Sequence, residues 1–125
     1  MKINLYLLPR KFLKDKLKLR NIAKAVLAAE GKRLKELNIV FTDDKQMQKL
    51  NNNFFKKNYP TDIMSFLLES DYGEIYISKN QIVGYRHMLE LIIHGLLHLC
   101  GFDHRTAKDK KVMAKKTLFY SLRFE

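Results

Sequence analysis

Three histidines near the end of the chain constrain its fold more than any other feature. His94 and His98 are four residues apart, Gly101 follows three residues later, and His104 comes three residues after the glycine. In an α-helix, residues four apart lie on one face, one turn above each other, so His94 and His98 can direct two imidazoles at one ion. Glycine readily adopts the left-handed conformation that ends a helix and reverses the chain, which returns His104 toward the other two.

We therefore predict that His94, His98 and His104 bind one metal ion, with Zn²⁺ as the expected metal. Three protein ligands leave a fourth coordination position for water, which is typical of catalytic and not of structural zinc sites. The fourth histidine of the chain, His87, lies seven residues before His94. It falls on the same helix face but two turns away, too far for the same ion. We interpret it as a cleft or surface residue.

The histidine spacing matches the zincin peptidase pattern H-E-x-x-H-x-x-G-x-x-H with one departure, because Gly95 stands where those enzymes have glutamate. That glutamate is the general base of the peptidases, and glycine cannot replace it. The pattern therefore keeps the ligand geometry and argues against a peptide substrate. The sequence leaves the general base open between the metal-bound water itself and Asp103, a nearby carboxylate. A second carboxylate, Glu90, lies one turn before His94 and is either a hydrogen-bond partner of a ligand imidazole or a solvated helix residue.

Three segments of the chain together form a recognisable set. They are His94-Gly95-x-x-His98-Leu99-x-Gly101-x-Asp103-His104, then Leu50-Asn51 followed by Asn58-Tyr59-Pro60-Thr61-Asp62-Ile63-Met64-Ser65-Phe66, and Gly73-Glu74-Ile75-Tyr76-Ile77-Ser78. In their order along the chain they resemble the YbeY family of bacterial endoribonucleases, the rRNA maturation factors. The resemblance covers essentially the whole chain, and the histidine segment is its most specific part.

The resemblance implies a metal-dependent endoribonuclease specific for single-stranded RNA. It further implies a role in rRNA processing, including maturation of the 3′ end of the small-subunit rRNA, and in ribosome quality control, with rRNA and ribosomal subunits as partners. Two alternatives stay open. One is a zinc hydrolase of another substrate, and the other is a non-catalytic RNA-binding ribosome assembly factor with a structural metal.

The chain departs from the family pattern in the Leu50-Asn51 block. Family members usually have an arginine after the aromatic residue there, whereas this chain has Phe55 followed by Lys56 and Lys57. We predict that Lys56 and Lys57 lie near the RNA, although lysine offers a point charge in place of the bidentate fork of arginine. Asn58 stands where the family usually has aspartate. The loss of the arginine favours the non-catalytic alternative.

The basic residues are concentrated at the two ends of the chain. Residues 1–40 carry eleven Lys and Arg against three acidic residues, residues 41–100 carry six against seven, and residues 101–125 carry seven against three. Basic ends around a near-neutral middle suit a polyanion laid across the domain, although lysine-rich surfaces also occur for compositional reasons. The single Cys100, the lack of a signal-peptide pattern and the lack of an apolar run near ~20 residues favour a cytoplasmic protein without a membrane partner.

Hydrophobic periodicity predicts one domain over residues 1–125, of the α+β class. We expect a mixed four-stranded sheet with helices packed on it, and the metal site on a central helix and the turn after it. An apolar face at Leu19, Ile22, Ala23, Val26 and Leu27 should pack on the sheet. The expected strands are 2–8, 37–41, 62–67 and 74–78, with a turn containing Gly73; the helices lie at about 19–30, 44–52, 79–100 and 107–122, with a loop at 53–60 closed by Pro60.

Overall fold

Four strands and four α-helices make up the part of the chain that the computed structural model describes, residues 1–59 and 61–125. The strands are β1 (Lys2–Tyr6), β2 (Glu36–Thr42), β3 (Ile63–Leu68) and β4 (Tyr72–Ser78). The α-helices are α1 (Lys16–Ala29), α2 (Asp44–Phe55), α3 (Tyr85–Leu99) and α4 (Ala107–Arg123), and short 3-10 helices precede α1 (Arg10–Asp15) and α3 (Lys79–Gln81).

The strands form one mixed sheet in the order β1-β2-β4-β3. β1 pairs with β2 and β2 with β4 in parallel, whereas β3 pairs with β4 antiparallel. The predicted α+β fold with a mixed four-stranded sheet is confirmed. Because β3 lies at one edge of the sheet, the segments on either side of it can contribute to a shared site.

The helices bury one face of the sheet. Leu37, Ile39 and Phe41 alternate along β2 and are fully buried, as expected for a strand with one face in the core. The predicted apolar face of α1 is buried in full. In α3 the pairs Ile92-Ile93 and Leu96-Leu97 are all fully buried, because this helix packs against α1, α4, β3 and β4. None of the helices described is both long and apolar enough to cross a membrane.

Three predicted helix boundaries are wrong. Helix α1 begins at Lys16, three residues before the predicted start near residue 19. The helix predicted for 79–100 is a short 3-10 helix followed by α3, which begins at Tyr85 after the extended backbone of Gly84. Helix α2 continues to Phe55, so the loop begins at residue 56 and not at residue 53 as predicted. The expected end of the loop at Pro60 lies outside the described residues. The extra turn of α2 is stabilised by Phe54 and Phe55, whose rings pack on Phe66 of β3.

The turn predicted around Gly73 is also misplaced, because Gly73 lies within β4. The turn is made by Glu69 and Ser70, which both adopt positive φ. A Cβ at residue 73 would lie 2.9 Å from a methyl of Leu99 and 3.2 Å from a methyl of Leu34. Residue 73 is therefore a glycine because neighbouring side chains leave no room for a Cβ, not because the backbone turns there. Strand β1 ends at Tyr6, two residues before the predicted end at residue 8, because Leu7 adopts a positive φ of 60°.

Candidate metal centre

The structure brings three imidazoles together at the end of α3. Nε2 of His94 and Nε2 of His98 are 3.1 Å apart, and one ring nitrogen from each of His94, His98 and His104 lies within 4.8 Å of the others. Two ligands at 2.0–2.1 Å from a tetrahedral zinc ion are separated by roughly 3.3–3.4 Å. The helical pair is therefore close to the spacing of a zinc site, and His104 lies in a non-helical segment that can adjust. That the three residues bind an ion stays a prediction.

The predicted chain reversal at Gly101 is present. Gly101 has a φ of 97°, a conformation that favours glycine, and its N–H donates to the carbonyl of His98 (3.0 Å). The N–H of Phe102 donates to the carbonyl of Leu97 (3.1 Å), which completes the end of the helix. This local hydrogen bonding returns the chain so that the His104 ring lies 5.0 Å from the His98 ring, centroid to centroid.

The environment keeps two of the imidazoles neutral. Burial, followed by the neighbouring charges of His98 and His104, lowers the pKa of His94 to about 4, although Asp62 opposes the shift. Burial and then His104 also lower the pKa of His98, against the opposing effect of Asp103. A neutral imidazole has a free lone pair, which is the form that binds metals. The electrostatics of the site therefore suit a metal centre.

These shifts predict that the chelator-treated chain loses stability as the pH falls from about 6.5 toward about 4. In the unfolded chain His94 has its ordinary pKa of 6.5, whereas in the folded chain the pKa is about 4. Between these values the unfolded state binds more protons, so acid favours unfolding. Denaturant titrations in chelator at pH 7, 6 and 5 would measure the effect. His94→Gln should flatten the dependence, and equal stability at all three pH values would contradict the prediction.

The three histidines lie in the wall of a cavity of about 360 Å³. The cavity runs along the edge strand β3, between the end of α2 and the end of α3. Its remaining wall is formed by Asn51, Phe55, Lys57, Thr61, Asp62, Ile63, Met64 and Ser65. On the other side, His94 and His104 also border a second cavity of about 540 Å³ beside α4, which includes Lys110. The candidate metal centre thus lies between two open spaces, each with a lysine.

The two carboxylates considered from the sequence have different positions. Asp103 lies beside the centre: its carboxylate accepts from the backbone N–H of His104 (2.7 Å) and pairs with Arg105 (2.8 Å). It is not among the described residues that border either cavity. Glu90 borders the second cavity with His94 and His104, where its side chain is 42% exposed and pairs with Arg86 (3.3 Å). Within residues 1–59 and 61–125 it has no hydrogen bond to a histidine, so the solvated interpretation of Glu90 is the one that holds.

Residues 10–123 match the family described as endoribonuclease YbeY. The chain belongs to the YbeY endoribonuclease family. A family member from Endomicrobium trichonymphae is 37% identical over 121 residues, covering 83% of this chain and 86% of the relative. One from Karelsulcia muelleri is 35% identical over 107 residues, covering 76% of each. The solution structure of TM1509 from Thermotoga maritima is also similar, with a TM-score of 0.60, 29% identity, and coverage of 95% of this chain and 86% of that one.

The residues that depart from the YbeY pattern lie at the end of α2 and in the loop that follows it. Phe55, at the position of the usual arginine, borders the cavity together with Lys57. Lys56 lies outside the described cavity wall and ends α2 with a left-handed φ of 58°. Asn58 accepts a hydrogen bond from the Gln48 side chain (3.0 Å), which holds the start of the loop against α2.

Three further residues of the YbeY segments contribute to the site, although the sequence patterns assigned them no role. Asp62 borders the cavity and acts electrostatically on His94. Asn51 is 4% exposed, and its amide donates to the carbonyl of Tyr59 (2.9 Å), which fixes the loop after α2. Ser65 donates to the carbonyl of Gly95 (3.2 Å), which ties β3 to α3. Their presence in the segments that carry the family resemblance was the available signal.

The structure gives Gly95 a second explanation. A Cβ at this position would lie 2.9 Å from Cδ1 of Ile63 and 2.9 Å from Cγ2 of Ile75. The helix therefore packs directly on the sheet at residue 95, and a side chain there would point at β3 and β4. The glycine removes the peptidase base and also permits the close contact that places His94 and His98 beside β3.

His87 lies away from the centre, as predicted. Its Nδ1 accepts a hydrogen bond from the backbone N–H of Val83 (3.0 Å) at the start of α3. Cys100 is half-buried, and burial raises the pKa of its thiol to about 11. Neither residue belongs to the described group of potential ligand atoms that lie within 4.8 Å of one another.

Proposed function

We propose that this chain is a metal-dependent endoribonuclease that cleaves single-stranded RNA. Its proposed setting is the cytoplasm, in rRNA processing, including the 3′ end of the small-subunit rRNA, and in ribosome quality control. The observation that carries the proposal is the convergence of three imidazoles in a cavity that also holds a lysine and a carboxylate. Membership of an endoribonuclease family supports the reaction class.

The proposed roles follow from the residues of the cavity. His94, His98 and His104 hold one ion, with zinc as the expected metal because all three donors are imidazole nitrogens. When bound, the ion supplies a Lewis acid that polarises a phosphoryl oxygen and acidifies water. Neutral ligands leave its positive charge available to the charge that develops during phosphodiester cleavage. Lys57 attracts the phosphate backbone from the wall of the same cavity.

Asp62 is the carboxylate in the wall of the cavity that contains the three histidines, and it is the residue best placed to hold a proton during the reaction. We expect Asp62→Asn to lower the rate of RNA cleavage by roughly a hundredfold, in the range of a lost general acid or base. Asp103→Asn, at the candidate chosen from the sequence, tests the alternative base beside the centre. Cleavage rates of both variants, measured at saturating RNA and full metal content, would show whether Asp62 or Asp103 has this role. A large loss in Asp103→Asn with normal Asp62→Asn would return the role to Asp103.

A non-catalytic RNA-binding assembly factor is the second candidate, and Phe55 in place of the usual arginine favours it. Peptide hydrolysis has less support, since the position of the peptidase base is a glycine packed against the sheet. A metal-titrated cleavage assay on single-stranded RNA, run beside a casein assay, tests all three functions. We expect cleavage of RNA that chelator abolishes and zinc restores, with casein intact. RNA binding without cleavage under any metal would support the assembly factor.

RNA binding should depend on salt through the lysines after α2. We expect Lys56→Ala with Lys57→Ala to weaken binding several-fold and to reduce the slope of log affinity against log salt by about 1.4, since each phosphate contact on a single strand contributes roughly 0.7. Lys57→Ala alone should have the larger effect because Lys57 borders the cavity. Fluorescence anisotropy at several salt concentrations would measure both quantities. An unchanged slope would move the RNA path to the basic segment 10–20.

A further inference from the structure

Four aromatic side chains form a cluster beside the candidate metal centre. Phe66 of β3 lies at the middle, with ring centroids 5.0 Å from Phe54, 5.8 Å from Phe55 and 6.0 Å from Tyr76. The rings of Phe55 and Phe66 are nearly parallel, with an angle of 17° between their planes. Phe66 therefore packs beside Phe55 and limits the orientations of its ring.

Phe55 is packed on only part of its surface. Phe55 is 47% exposed and borders the same cavity as the three histidines and Lys57. Phe54 is 62% exposed and also contacts Phe66, but it is not part of the cavity wall in the described residues. An exposed aromatic ring held in place beside a binding site indicates a ligand contact. Of the two phenylalanines, Phe55 is the one placed for that contact.

The chemistry of this wall suits a nucleobase. Every base has a flat π-face, and proteins that bind single strands combine aromatic platforms for the bases with positive charge for the backbone. Phe55 and Lys57 provide one of each within a single cavity. Bases in a duplex are already stacked on their neighbours, whereas unpaired bases can turn outward onto an aromatic side chain. A stacking residue at this place would therefore discriminate between the two forms of RNA.

We propose that Phe55 stacks on an unpaired base of the RNA next to the phosphodiester held at His94, His98 and His104, and so selects single-stranded over duplex RNA. This inference rests on the proposed function and adds a specificity-determining contact to it. Phenylalanine carries no charge for a phosphate, but its ring can stack on a base.

Equilibrium binding of a fluorescent oligonucleotide tests the proposal. The probe is a single-stranded 2′-O-methyl RNA with one 2-aminopurine, added to the metal-loaded chain and checked by gel to be intact after the measurement. We expect Phe55→Leu to raise Kd about tenfold, within the range for one lost stacked base, and to remove the quenching of 2-aminopurine. Phe55→Trp should preserve both the affinity and the quenching, and Kd for a duplex of the same sequence should not change in Phe55→Leu.

Phe54→Leu is the matched control, because it removes another ring that contacts Phe66 but leaves the described cavity wall intact. It should change Kd less than about twofold. Equal losses in Phe54→Leu and Phe55→Leu, or normal binding and quenching by Phe55→Leu, would overturn the stacking contact. Cleavage of unmodified RNA is measured separately. If the base stacks on Phe55 but the RNA is not cleaved, the nuclease proposal is rejected and the stacking contact is kept. If the RNA is cleaved but Phe55→Leu binds normally, the stacking contact is rejected and the nuclease proposal is kept. If the wild-type chain does not bind the RNA, both are rejected.

Discussion

His98→Ala is expected to abolish cleavage of single-stranded RNA, by about a thousandfold or more, while the chain keeps its fold. The variant removes one of three imidazoles that converge at the end of α3. Two remaining histidines should hold an ion poorly, and the Lewis-acid contribution of a metal is worth several kcal/mol. The fold should persist because the core is apolar: α3 is held by fully buried leucines and isoleucines, whereas His98 is only partly buried.

Three measurements on this variant separate the hypotheses. Elemental analysis should find about one zinc ion per wild-type chain and less in the variant, and thermal melting in chelator should be nearly the same for both. His87→Ala is the matched control, because it removes a histidine from the same helix outside the centre. Full cleavage by His98→Ala would refute metal catalysis. Unfolding of His98→Ala, or of the wild-type chain in chelator, would favour a structural metal, whose binding energy is folding energy.

Gly95→Glu is expected to destabilise the chain by about 3–5 kcal/mol, and not to create a peptidase. The substitution restores the glutamate of the zincin pattern, but a Cβ at residue 95 already lies 2.9 Å from Ile63 and Ile75. Ile75 is fully buried and branched at Cβ, so it cannot move aside easily. The longer side chain must either bury its charge between helix and sheet or push α3 away from the sheet.

Thermal melting would measure this effect, since about 1 kcal/mol corresponds to roughly 4 °C for a chain of this size. Gly95→Ala should give a smaller loss, because overpacking by one methyl is partly offset by the better helix propensity of alanine. Gly84→Glu is the control. A Cβ there has nothing within 4 Å, so its effect should stay below about 1 kcal/mol. A stable Gly95→Glu variant that cleaves casein would show that the glycine alone had prevented peptidase activity.

Several features of this protein follow from short stretches of sequence. The spacing of His94, His98 and His104 around Gly101 predicts their convergence, because helical periodicity and the reversal at glycine act within eleven residues. The apolar face of α1 and the alternation in β2 are local in the same sense, so the sheet with its packed helices could be inferred. The family resemblance added the pattern of an endoribonuclease, and the match of residues 10–123 confirms it.

Other features depend on how distant segments pack, and no local pattern encodes them. From the sequence, Gly73 was predicted to lie in a turn, and Gly95 was interpreted only as the loss of the peptidase glutamate. In the structure, side chains from other elements leave no room for a Cβ at either position. The proposed role of Phe55 depends on Phe66, which lies eleven residues later on the edge strand and packs beside the Phe55 ring at the cavity. Periodicity determines which face of an element is buried; the register and distance between elements, set by tertiary packing, decide which residues share the site.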